Sequence, residues 1–374
     1  MSQPLVDWSE LNVIERMAVR FLRSRNGLDE PRVHRWPRDE LRTIRRLEIS
    51  AIILAAFSGM VSGALIGGLE IWLNFTITDT EQSWARWLEY WVVFLVVSVL
   101  ISAIEILFLY WVVLWRVARI TNIAGLRLSD PEVEQVVAIG LSRSALDIPD
   151  PRKPFYGVDP YIRVPRWRLI AYAILYRLKI GATSFIVRVL LRRALARAAV
   201  RALIPLVAIV IYSIWNAIII GWIMQASRVR AAGPIAIQEL GEQLLAARPD
   251  LDEGVRRLLL EAVAETIIRS ANDHPNFMLL LGRLFEDLKI EPGSLDLDWS
   301  ANRSRIPELS ARQQDLLLNL VKITILLDGR PRRKQLQFLQ EIHEACGQTL
   351  DKGETSRLFR SFAQGQGIGA LRDS

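Results

Sequence analysis

Three long apolar runs constrain this chain more than any other feature of its 374 residues. Residues 51–74 hold one ionisable side chain, Glu70, near their end. Residues 88–117 form a second, longer run from Leu88 to Val117, and residues 202–226 a third without charge. A hydrocarbon core about 30 Å thick needs roughly 20 apolar residues of α-helix to cross it. Each run meets that length. A short connector, 75–87, carrying Asp79 and Glu81, joins the first two. The simplest reading is a transmembrane helical hairpin.

Basic residues orient the hairpin. Arg38, Arg42, Arg45 and Arg46 precede the first run, Arg116 and Arg119 close the second, and Arg86 alone lies near the connector. Lys and Arg are retained on the cytoplasmic side, so both ends of the hairpin are expected there. Trp72, Trp84, Trp87 and Trp91 surround the connector, while Trp111 and Trp115 lie at the other end. Aromatic belts form at those depths. The first forty residues are charged and lack an apolar run, so insertion is expected to use an internal segment.

Apolar residues make up 51% of the chain and charged residues 23%, with a net charge of +7. Membrane segments joined to soluble ones explain that mixture. Cys346 is the sole cysteine, and His34, His274 and His343 are the only histidines. The chain alone forms no disulfide and no multi-cysteine zinc site. No metal or cofactor is expected.

The sequence divides into five stretches. Residues 1–48 carry amphipathic and basic helices; in 8–23, Leu11, Ile14, Ala18 and Phe21 fall on one stripe. Residues 49–118 hold the hairpin. Residues 119–166 hold a helix opened by Ser129-Asp130-Pro131-Glu132, a capping-box pattern, and then a proline-rich loop. Residues 167–230 hold two basic amphipathic helices, broken near Gly181, and the third apolar run. Residues 231–374 read as a soluble bundle of helices near 234–247, 252–272, 276–288, 309–327, 332–346 and 352–364. The fold class is all-α.

In 167–201, Arg177, Lys179, Arg188, Arg192, Arg193, Arg197 and Arg201 interleave with aliphatic residues. Such helices lie in the interface of an anionic leaflet, with guanidinium groups at phosphate level. The basic surplus is thereby assigned to lipid headgroups rather than nucleic acid.

Three plain crossings leave the C-terminal bundle outside the cell. A crossing or re-entrant stretch within 168–187, or a half-inserted third run, brings it back. Charges at the bilayer centre cost about 2.5–3.5 kcal/mol each, which opposes a crossing at Arg177 and Lys179. A cytoplasmic C-terminus is the favoured reading, with three or four passes both open.

Three intramembrane features stand out. Ala55, Gly59, Gly63 and Gly67 form a row at four-residue spacing on the first run, where another helix can approach closely. That partner is either the second run or a second copy. Glu105 sits mid-way along the second run, where an ionisable side chain needs a partner or water. Asn216, in the third run, can bond across helices. Gly365-Gln366-Gly367-Ile368-Gly369 imitates a phosphate loop, but follows a helix rather than a strand and reads as a frayed tail.

The stretch 317–347, an apolar helix ending in Asp328-Gly329 followed by an amphipathic helix ending near Gly347, resembles the helix-Asp-Gly-helix core of tellurite-resistance TerB-like domains. The resemblance implies a soluble helical domain appended to a membrane protein. Arg332, Arg333 and Lys334 stand where that family has acidic residues, which removes the basis for its metal binding. Residues 193–230, with Pro205 and Asn216, are similar to the end of EcsC-like membrane-associated bacterial proteins.

The functional expectation is a non-catalytic scaffold or adaptor in the cell (inner) membrane. It presents a cytoplasmic helical domain to a protein partner and self-associates as a homo-oligomer through its membrane helices. The alternative is an oligomeric ion or solute channel or transporter using Glu105. A membrane-bound enzyme ranks third, because no acid-base or nucleophile constellation supports it.

Overall fold

The computed structural model describes residues 11–26, 34–77, 84–126, 133–146, 154–171 and 204–367. Among them the secondary structure is helical, without strands; Phe155 and Val158 form one isolated antiparallel bridge. The helices are α1 (Val13–Arg25), α2 (Arg38–Ile77), α3 (Trp84–Ile123), α4 (Val133–Ala145), α5 (Ile204–Ala247), α6 (Glu253–Ser270), α7 (Pro275–Leu288), α8 (Trp299–Arg303), α9 (Ala311–Leu326), α10 (Arg333–Ala345) and α11 (Lys352–Ala363). The chain forms two compact units. An apolar body comprises 46–116 and 165–224; a mixed-charge body comprises 1–45, 117–164 and 225–374.

In the apolar body, α2, α3 and α5 contain windows of mean hydropathy 2.1, 2.9 and 1.7. Only 33%, 11% and 17% of those windows is buried. A soluble core helix buries its apolar face; these helices display theirs. Leu107, Ile104, Val99 and Val210 are more than half exposed. All three helices are long and apolar enough to cross a membrane. At about 1.5 Å per residue, the 40 residues of α2 and of α3 reach about 60 Å, twice a hydrocarbon core. Near the connector, Ile66 and Leu73 of α2 pack against Phe94 of α3. Trp84 stacks on Trp87 there at 5.0 Å. Toward the opposite end, Arg116 donates to Ser50 Oγ at 3.0 Å.

In the mixed-charge body, helix ends follow local chemistry. Asp252, Ser310 and Asp351 accept backbone N–H groups at the starts of α6, α9 and α11. Ala271 and Lys289 adopt left-handed backbone at the ends of α6 and α7. Phe277, Phe338, Leu258 and Leu320 sit in the core with no exposed surface.

α5 is longer than its sequence pattern implies. The helices expected at 202–226 and 234–247 are one, running through Pro234. The polar residues between them are bonded: Arg230 donates to the Gly140 carbonyl, and Asn276 Nδ2 donates to the carbonyls of Val229 at 3.2 Å and Leu327 at 2.9 Å. Gly233 lies against the Asn276 amide, leaving no room for a side chain.

α1 is rotated from the expected stripe. Its inward residues are Leu11, Glu15, Ala18, Val19 and Leu22, whereas Ile14 is 55% exposed. α1 packs on α4, and Arg143 of α4 draws Glu15 inward as an ion pair. That ion pair joins the apolar row of Leu11, Ala18, Val19 and Leu22 on the inward face.

The glycine-rich tail is not frayed at its start. Trp36 N–H donates to the Gly365 carbonyl at 3.0 Å, and Gln366 Nε2 donates to the Trp36 carbonyl at 2.8 Å. Gly365, at φ +66°, lies against the indole of Trp36, which is 1% exposed. Only glycine fits both that backbone and that contact.

Candidate functional site

Three helices of the apolar body converge on one polar pair. α2 contributes Gly59, α3 Glu105 and α5 Asn216. Asn216 Nδ2 donates to Glu105 Oε1 at 2.5 Å. A Cβ at Gly59 would stand 2.8 Å from Asn216 Nδ2 and 2.5 Å from the Tyr212 carbonyl oxygen. A Cβ at Gly63 would stand 2.9 Å from Ile209 Cα. The glycine row therefore receives the backbone of α5, the third run, where the second run or a second copy was the expected partner. Ala55 and Gly67 are buried too.

The grouping has a physical reason. Apolar helices in hydrocarbon gain little from mutual burial, so close backbone approach and interhelical hydrogen bonds hold them. The absent side chains of Gly59 and Gly63 bring α5 near, and that approach carries Asn216 to Glu105. Sequence reading singled out all three residues separately. It missed that they meet, because spacing within one helix says nothing of which neighbour faces it.

The seven basic residues assigned to lipid headgroups, Arg177, Lys179, Arg188, Arg192, Arg193, Arg197 and Arg201, lie outside the described residues. The capping box at 129–132 lies outside them as well.

The mixed-charge body holds several buried polar groups that the sequence did not mark. Glu265 is 2% exposed and takes Arg163 and Arg269, each at 2.7 Å; Arg269 reaches on to Glu341. Asp328, of the Asp328-Gly329 turn, accepts from Asn272 at 3.1 Å and Gln335 at 3.3 Å. Burial raises its carboxyl above the ordinary value, against the pull of Arg332. Asp328 thus ties the link after α6, α10 and its own turn together. His274 caps α7, and burial, with Arg230 and Arg332 nearby, lowers its pKa well below the usual value. Its two ring nitrogens face donors, the Asn276 N–H at 3.3 Å and Arg230 Nε at 3.4 Å. A neutral imidazole has a lone pair for one of these donors and an imidazolium for neither.

His343 Nδ1–H donates to the Leu339 carbonyl at 2.8 Å, and Glu341 is engaged by Arg269. Among the described residues, no group of three or more His, Cys, Asp and Glu side chains is arranged to hold a metal ion.

One open groove of about 420 Å³ lies between the C-terminal end of α5 and the start of α9. Ala246, Leu251 and Leu316 line its floor, and Glu242, Asp250 and Asp315 stand around it. Arg312 is paired with Asp250 at 2.7 Å.

No family model, curated protein or solved structure matches the chain. Among the described residues the fold is all-helical, with three helices long and apolar enough to span a membrane.

Proposed function

We infer that the chain is a non-catalytic scaffold or adaptor anchored in a membrane, presenting its mixed-charge helical body to a protein partner. One observation carries the reading. The N-terminal segment, the stretch after α3 and everything after Met224 build a single compact unit, and three long apolar helices lead into it. A bilayer cannot divide one packed core, so all three stretches belong on one side. The basic flanks of α2 and α3 favour the cytoplasmic side.

Parity then supports four crossings. α2 leaves the mixed-charge body and α3 returns to it. α5 also ends in that body, so its start belongs across the bilayer. An even number of passes agrees with the expectation of a crossing or re-entrant stretch within 168–187, most of which lies outside the described residues.

Self-association remains part of the proposal, but from outward faces such as Ile104 and Leu107 of α3. Gly59 and Gly63 are already covered by α5. The channel or transporter alternative rests on Glu105, whose bond to Asn216 gives the carboxylate a packing role without any transported species.

The test is photo-crosslinking in cells from Asp315 and Leu316, at the groove, and from Gln340 as a remote control. A discrete adduct at the groove, lost with Leu316→Asp, supports the adaptor. No adduct, together with ion or solute flux in proteoliposomes that Glu105→Gln abolishes, replaces it with the channel.

A further inference from the structure

We propose that the outward face of α1 is a docking surface for the headgroup region of an anionic bilayer. This rests on the membrane-anchored reading above.

The argument starts from what α1 leaves exposed. Its inner face is committed to α4, yet Val13 is 64% exposed, Ile14 55% and Met17 64%. At about 100° per residue, Val13, Met17, Phe21 and Ile14 fill an arc of about 100°. Arg16 and Arg20 flank it on one side and Arg25 on the other, with all three exposed. The single acid of α1, Glu15, is turned inward and paired with Arg143. What faces outward is a cationic rim around an apolar strip, without a carboxylate from α1.

That chemistry fits one partner. Aliphatic side chains enter the boundary between headgroups and acyl chains, while guanidinium groups stay among lipid phosphates. A face meant for a soluble protein core needs no such cationic border. The surface is also preorganised. Asn12 and Glu15 close a capping box at its start, with bonds of 2.8 Å in both directions, so lipid need not induce the helix. The helix that follows, α2, begins 13 residues after α1 ends. Its Arg42, Arg45 and Arg46 lead into the apolar run, so the chain itself keeps α1 within reach of the interface.

The test uses the full chain with Cys346→Ser, in nanodiscs holding one copy each. Met17→Cys carries an environment-sensitive fluorophore, and Gln340→Cys carries the same probe as control. In discs containing phosphatidylglycerol, lipids spin-labelled high on the acyl chain should quench position 17 at least threefold more than position 340. Arg16→Glu with Arg20→Glu should bring position 17 down to the control. Equal quenching at both positions overturns the proposal, as does a shielded probe at 17 that spin-labelled lipid does not quench, which marks a protein partner instead. Since every disc already holds the anchored chain, these failures leave the anchoring intact. Failure of the anchoring itself appears separately, as a chain that stays dispersed without surfactant.

Discussion

Arg143 Nε donates to Glu15 Oε1 at 2.8 Å, between side chains only 8% and 6% exposed, 128 residues apart in sequence. The other oxygen of Glu15 accepts the Asn12 N–H. One carboxylate therefore caps α1 and fastens it to α4. Removing one partner leaves a buried charge unmatched, a loss of about 3–5 kcal/mol. Glu15→Ala and Arg143→Ala should each release α1, seen as rapid amide exchange over 13–25. Glu15→Leu with Arg143→Leu should cost less than the two single changes summed.

The contact of Gly59 with α5 predicts a sharp size limit. Gly59→Val and Gly63→Val push side chains into the backbone of Tyr212 and Ile209, an overpacking cost of about 1–3 kcal/mol. Both should lower the melting temperature in detergent. Gly68→Val is the control, because a Cβ there meets nothing within 4 Å.

Glu105 and Asn216 should be energetically coupled. Interhelical hydrogen bonds in membranes average about 0.6 kcal/mol and reach about 1.7. A double-mutant cycle with Glu105→Ala and Asn216→Ala should give a coupling in that range. Glu105→Gln, which keeps an acceptor oxygen for the Asn216 amide, should retain most of the stability.

His274 predicts a pH dependence with a definite sign. Burial, with Arg230 and Arg332 nearby, holds its folded pKa well below 6.5. The unfolded chain then binds a proton that the folded chain refuses. Stability is full above the ordinary histidine value and falls as pH drops through and below it, by at most about 1.4 kcal/mol per pH unit. His343, lowered chiefly by burial, adds in the same direction. His274→Asn keeps a cap for α7 without titrating, so unfolding followed between pH 5 and 7.5 should show a shallower slope.

Much of this architecture was legible because its signals are local. A hydrocarbon-length apolar run such as 88–117 has few alternative structures. The expected helices at 252–272, 276–288, 309–327, 332–346 and 352–364 fall close to α6, α7, α9, α10 and α11. What stayed hidden depends on distant partners. Nothing near Glu15 announces Arg143, so Ile14 was expected inside. Nothing near Gly365 announces Trp36, so the tail was expected to fray. The residues of the polar pair were visible one by one, while their meeting required α5 to pack on the glycine face of α2.

Labelling with a membrane-impermeant maleimide tests the central claim most directly, that the N-terminal and C-terminal parts share one side of a membrane. In a Cys346→Ser background, single cysteines at Asp39, at the start of α2, and at Gln340 on α10 are both exposed. The account predicts that neither reacts in intact cells and that both react once the membrane is permeabilised. Labelling of one in intact cells but not the other would place a bilayer through the mixed-charge body and contradict it.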